Sequence, residues 1–137
     1  GLTEISVPAS VTSIGQYAFI ECLLLTAIHV DIANMTYSSS DGVLFDEDLT
    51  TLIMYPSGKI ASSFTVPAST TTIELNAIRS NTNLASLYIP MTVTTIKSNG
   101  IYLCTNLDIY CEASEKPIGW DSNWNNSNRP VTWNYSF

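Results

Sequence analysis

The apolar positions of this chain recur at a fixed interval. From residue 61 onward an apolar-polar-apolar alternation runs into a proline, isolated apolar residues follow among Thr and Ser, and the whole order returns 23 residues later. Phe64, Val66, Pro67, Ile73, Ala77, Ile78 and Asn83 lie beneath Leu87, Ile89, Pro90, Ile96, Gly100, Ile101 and Asn106. The windows 61–83 and 84–106 share nine identical residues, including Ser63/Ser86, Thr72/Thr95, Asn76/Asn99 and Thr82/Thr105. Residues 2–24 follow the same template, and Val7 to Ile14, Val66 to Ile73 and Ile89 to Ile96 are each seven apart. Self-similarity at such a period predicts a solenoid, whose coils cannot cover their own apolar faces and are stabilised by stacking.

Within one coil, Glu4-Ile5-Ser6-Val7 alternates with the period of a strand, inward at Ile5 and Val7 and outward at Glu4 and Ser6. Pro8, Pro67 and Pro90 end these strands, because proline has no N–H to give a ladder. Val11, Ile14 and Ala18-Phe19 are then predicted to point inward from the other sides, with Ile73 and Ala77-Ile78 as counterparts in one later coil and Val93, Ile96 and Gly100-Ile101 in the next. This closes a triangular cross-section. The Thr and Ser between them suit extended backbone better than helix, so little helix is expected. Cys22, Asn81 and Cys104 share one position and Asn83 and Asn106 another, which predicts buried packing and turn-bonding roles.

Two stretches depart from the template. The second coil, 25–60, is 36 residues long, 13 more than its neighbours. Its extra segment, about 31–60, holds the turn dipeptides Asp41-Gly42 and Ser57-Gly58 and two apolar runs flanking an acidic Asp46-Glu47-Asp48 turn, which predicts an inserted β-hairpin with a solvated tip. The last repeat, 107–137, starts on Leu107-Asp108-Ile109-Tyr110-Cys111 and runs into a polar, aromatic stretch with Trp120, Trp124, Trp133 and Tyr135, predicted to cap the final coil. All of 1–137 reads as one repeat domain. Gly1 falls directly on a repeat, which suggests a stretch cut from a longer chain, so the lack of a signal peptide here carries no weight.

Composition narrows the function. The chain is 45% hydrophobic with net charge -7, and its Lys and Arg are scattered at 59, 79, 97, 116 and 129, so no basic stripe exists to meet a phosphate backbone. The longest apolar runs are a few residues, far below the roughly 20 that span a bilayer. Three cysteines without a C-x-x-C pair predict free thiols and no zinc site.

The pattern L-x-x-I-x-V-P-x-S-V-x-x-I-G-x-x-A-F-x-x-C at 2–22 resembles the BspA-like (Treponema pallidum type) leucine-rich repeats of cell-surface proteins. The segment Tyr37, Asp41-Gly42-Val43-Leu44-Phe45 and Thr51-Leu52-Ile53 before Tyr55-Pro56 resembles an insertion common among them, while Asn76-Ala77-Ile78 and Gly100-Ile101 depart from the usual Ala-Phe. The resemblance implies a right-handed leucine-rich-repeat solenoid with a parallel strand ladder, secreted or held at the cell surface. Some members are adhesins for host matrix proteins, and no shared catalytic residues come with the family.

The candidate site follows from the outward strand positions. Stacked coils would align Glu4, Ala27, Ser63, Ser86 and Asp108 in one column and Ser6, His29, Thr65, Tyr88 and Tyr110 in another. Tyr88 and Tyr110 beside His29, with Thr65, Ser86 and Asp108, form the expected interaction surface for a protein or glycan, since tyrosine gives large amphipathic contact at low entropy cost. Two alternatives stand beside it: a structural spacer in a longer array, and sugar stacking on the C-terminal tryptophans. Asp121-x-Asn123-x-Asn125-x-Ser127 copies part of a calcium loop but has Asn126 and Thr132 where that loop needs Gly and Glu, so no metal is expected. His29 has no assignable acid or nucleophile and no catalytic motif is present, so neither catalysis nor a cofactor is expected. The chain is expected to be a monomer. Asn34-Met-Thr36, Asn125-Asn-Ser127 and Asn134-Tyr-Ser136 are glycosylation sequons.

Overall fold

The computed structural model describes residues 2–137. Thirteen short strands follow one another: β1 (Glu4–Val7), β2 (Ala27–Val30), β3 (Tyr37–Ser40), β4 (Val43–Asp46), β5 (Thr51–Met54), β6 (Ser63–Thr65), β7 (Thr72–Ile73), β8 (Ile78–Arg79), β9 (Ser86–Ile89), β10 (Thr95–Ile96), β11 (Ile101–Tyr102), β12 (Asp108–Cys111) and β13 (Val131–Thr132). No helix occurs among the described residues. The coils stack through parallel ladders. On the first side β6, β9, β12 and β13 pair in that order, on the second β5, β7 and β10, and on the third β8 and β11.

The repeat register is visible in these pairs. Ser63 faces Ser86, Phe64 faces Leu87, and Ile73 and Ile78 face Ile96 and Ile101, each 23 apart as the sequence pattern requires. After each strand-ending proline the same turn forms, with Val11, Thr70 and Val93 donating to the carbonyls of Pro8, Pro67 and Pro90. The repeated Asn76 and Asn99 have a conformational cause: both sit at left-handed φ, 57° and 55°, which asparagine tolerates better than branched or bulky residues.

The expected hairpin is present and belongs to a larger unit. β4 and β5 pair antiparallel around the acidic turn, and β3 adds on the far side of β4 through Asp41-Gly42. Asp41 and Gly42 have φ of 51° and 76°, the two left-handed residues a tight hairpin turn asks for. A Cβ on Gly42 would come within 2.9 Å of the Ala27 Cβ, so this turn is seated directly on β2. β5 then joins β7 in parallel, and Tyr55 bridges to Ile78. The insertion is spliced into the solenoid wall.

This splice divides the interior. Val43, Phe45, Leu52 and Tyr55 face the larger core with Leu87, Ile96 and Ile109, whereas Leu44 and Met54 face a smaller one with Val7, Leu25 and Ile28. Both faces of β4 are therefore covered, which accounts for its uninterrupted apolar run. It also breaks the first-side ladder: β1 and β2 pair with each other, and Ile28 N–H donates to Gly42 O at 2.9 Å, so β6 does not continue from β2.

Two expectations change. Ala18 is exposed and Phe19 only half-buried, because residues 15–22 form successive turns and join neither the second-side nor the third-side ladder. The aromatic cap is itself built as a coil: Trp120 bridges Ile96 and Asn125 bridges Ile101, extending both ladders after the side-chain pattern has gone.

Candidate functional site

The expected outward columns are split. His29 lies on β2 beside Ser6, its Nε2 3.3 Å from Glu4 Oε1, on the far side of the β3–β5 meander from the other candidates. The predicted neighbourhood of His29 with the tyrosines is thus not formed, because the Gly42 turn occupies the edge of β2 where β6 would have paired. Thr65, Tyr88 and Tyr110 do align, joined by Thr132, and Ser86 aligns with Asp108.

Tyr88 and Tyr110 stack, with ring centroids 5.1 Å apart and planes 19° from parallel. Parallel pairing at the strand spacing places the two rings one above the other, an arrangement worth roughly 0.5–1.5 kcal/mol beyond burial. Two further aromatics join them. The chain takes a left-handed φ of 58° at Asn134, and Tyr135 N–H donates to Cys111 O at 2.9 Å, which carries the last residues onto the outward face. Tyr135 lies 4.9 Å from Tyr110 and 5.6 Å from Tyr88, and Phe137 meets the Tyr88 ring edge-on at 5.8 Å. The three tyrosines are half-buried, while Phe137 remains 53% exposed. Sequence reasoning grouped Tyr135 with the tryptophans and did not single out Phe137. The turn-favouring Asn134 was the available signal for the reversal.

The tryptophans are core. Trp120 and Trp124 are 2% and 6% exposed, their rings 4.8 Å apart, and Trp120 Nε1 donates to Val93 O at 3.0 Å. Trp133 packs on both from the rim. With Trp120 and Trp124 buried, only the half-buried Trp133 has a face left for the expected alternative of sugar stacking.

The other candidates resolve into structural roles. Asn81 is fully buried and makes four hydrogen bonds, donating to Pro56 O and Lys59 O at 3.0 Å and accepting from Asn83 N at 2.9 Å and Leu84 N at 2.8 Å. Asn34 repeats this arrangement toward Pro8 O, Val11 O, Thr36 N and Tyr37 N, so the first sequon's amide is committed inside the fold. Asp46 caps its turn by accepting from Thr50 N and Thr51 N, leaving only Glu47 and Asp48 exposed at the acidic tip. In the calcium-like stretch, Asn125 is engaged with Arg129 N and O, and no group of three or more metal-binding His, Cys, Asp or Glu occurs among the described residues.

All three cysteines are free. Burial raises the Cys111 thiol to about 12 and raises Cys104 as well. Burial, then the charges of Asp41 and Cys104, lifts the Tyr55 phenol to about 12, and its buried hydroxyl has no hydrogen-bond partner.

Short parallel strands stacked on a 23-residue coil, with an aromatic cap, define a leucine-rich-repeat β-solenoid. The BspA type leucine-rich repeat region matches residues 1–128 in six copies, and the chain belongs to that family. It is similar in structure to the pneumococcal vaccine antigen PcpA, with TM-score 0.73 and 27% identity over 88% of this chain and 29% of that one. A leucine-rich cell surface protein from Faecalibacterium prausnitzii gives TM-score 0.73 and 32% identity over 87% of this chain and 31% of that one. A leucine-rich repeat protein from Eubacterium ventriosum gives 0.63 and 25%, over 96% and 42%. The chain thus spans less than half the length of each of these structures. No curated protein gives a significant sequence match.

Proposed function

We propose that this chain is a non-catalytic interaction module of a secreted or surface-held protein, and that it binds a protein or polysaccharide through the outward face of the β6–β9–β12–β13 ladder. The observation that carries this reading is the cluster of Tyr88, Tyr110, Tyr135 and Phe137 on a strand face whose other outward residues are small or polar. Aromatic anchors surrounded by Thr65, Ser86 and Asp108 have the composition of a recognition centre with a polar rim. The surface location rests on the cell-surface protein from Faecalibacterium prausnitzii to which the chain is similar.

The test is a screen of host-matrix proteins and glycans, immobilised as arrays, with the wild-type chain, Tyr88→Ala/Tyr110→Ala and His29→Ala. Ligands captured by wild type and His29→Ala should lose at least tenfold in affinity with the double variant, an effect of about 1.4 kcal/mol or more. Equal binding by all three would remove the tyrosine face from the account and leave a spacer between other domains as the better reading.

A further inference from the structure

We propose that the cleft between the first coil and the second-side ladder binds a carboxylate carried on an apolar chain, with Arg79 as the residue that receives the carboxylate. This site is separate from the tyrosine face. It exists because residues 15–22 turn away from the ladder that β5, β7 and β10 form, leaving a hollow of about 330 Å³. That is within the usual range for small-molecule sites.

The floor is apolar, supplied by Ile14, Phe19, Leu44, Ile53, Met54 and Leu75. The rim carries two acids and two bases, and their hydrogen bonds show which of them is free to meet a ligand. Asp46 is spent on the Thr50 and Thr51 turn, with Oδ1 accepting from both backbone N–H groups and Oδ2 from the Thr50 hydroxyl. Glu74 is spent too, with Oε1 paired to Lys97 Nζ and Oε2 accepting from its neighbour's N–H, Leu75 N, at 3.1 Å. Both rim carboxylates are therefore engaged.

Donors are what remain. Arg79 gives one N–H to Asn76 Oδ1 at 2.9 Å and lies 5.1 Å over the Tyr102 ring, and it forms no ion pair among the described residues. Asn76 and Tyr102 hold the guanidinium in place from two directions without neutralising it. A planar, oriented guanidinium with free N–H groups matches a carboxylate, which it can bind through two parallel hydrogen bonds. Lys97 at the same rim is already paired to Glu74, so Arg79 is the cation left to receive the ligand. A neutral or cationic ligand of the same shape would fill the floor and leave these donors unanswered.

A free acid and a peptide C-terminus carry the same chemistry, so both serve as probes. Sodium octanoate and the peptide Ser-Gly-Phe with a free carboxylate would be titrated into the isotopically labelled chain, with octanol, octylamine and the amidated peptide as controls. The methyl resonances of Ile53, Met54 and Ile14 should move saturably with at least one carboxylate probe, and the matching neutral or cationic control should bind at least roughly tenfold more weakly. Arg79→Gln should erase that preference and leave the weak octanol shifts unchanged. If neither carboxylate moves these methyls, or if octanol and the amide match them, the site is not as described. Should Arg79→Gln alter the spectrum beyond the cleft, the contrast between carboxylate and control in the wild-type chain decides alone.

Discussion

The two cores on either side of the β3–β5 meander come from one sequence template and end up unequally buried. The larger holds twenty buried residues with four half-buried neighbours, and the smaller holds five buried with eight half-buried. Ile5 and Leu87 occupy equivalent template positions, yet Ile5 is half-buried and Leu87 fully so. The side chains are of similar size and apolarity, so their own chemistry does not set the difference. Leu87 has ladder partners on both sides, Phe64 and Ile109, whereas Ile5 has Ile28 on one side only. In a solenoid, burial is supplied by neighbours.

The sharpest test of that comparison substitutes equivalent positions. Leu87→Ala should cost about 3–4 kcal/mol and Ile5→Ala about 1 kcal/mol in denaturant unfolding, because only the first leaves a closed cavity. Equal losses would mean that the two cores are packed alike. Next comes Asn81→Ala, which strips partners from two carbonyls and two N–H groups and should cost about 3 kcal/mol. Asn34→Ala removes the same four bonds beside the smaller core, and a markedly smaller loss there would show that its turn opens to water more readily.

A pH titration probes the larger core alone. The Cys111 thiol rises from 9.0 to about 12 and the Tyr55 phenol from 10.0 to about 12 on folding, both chiefly through burial. Both groups are neutral in the folded chain well above the pH at which the unfolded chain ionises, so raising pH favours unfolding. Their contribution should be complete below about pH 9 and should decline steadily toward pH 12, and Cys111→Ala should flatten the decline. The smallest effect expected is for Tyr55→Phe, which removes a buried hydroxyl that has no partner and should leave stability within about 1 kcal/mol, on the stabilising side. A loss of several kcal/mol would mean that the hydroxyl is bonded after all.

The regular coils were legible because their information is local and repeated. The seven-residue step from Val66 to Ile73, the prolines and the paired Asn76 and Asn99 each specify backbone direction within one coil, and stacking copies it. The hairpin turn was legible for the same reason, as Asp41-Gly42 demands left-handed backbone. What local pattern could not carry was the placement of that hairpin. Val43-Leu44-Phe45 is apolar on both faces, a sign that two cores would meet there, but no spacing says that the turn will seat on Ala27 and cut the ladder.

The candidate site shows the same limit. Thr65, Tyr88 and Tyr110 came together because ladder register follows from the repeat, whereas His29 was lost when the register broke at the meander. Tyr135 and Phe137 joined the cluster through a reversal at Asn134, a tertiary event after the repeat had ended. The cap hid its own regularity. Trp120 stands in the Ile73 and Ile96 column with a side chain so different that only the backbone bridge reveals the equivalence.

Native-state hydrogen exchange can compare amides that make equivalent bonds on the two sides of the meander. Asp31 donates to Val7 O at 2.9 Å and Glu112 to Ile89 O at 3.1 Å, each just beyond its own first-side strand. If neighbours supply the stability, Asp31 and Ile28 should exchange through a local opening at least about 2 kcal/mol easier than the one that frees Glu112 and Val66. One shared opening free energy for all four amides would contradict the division into two cores.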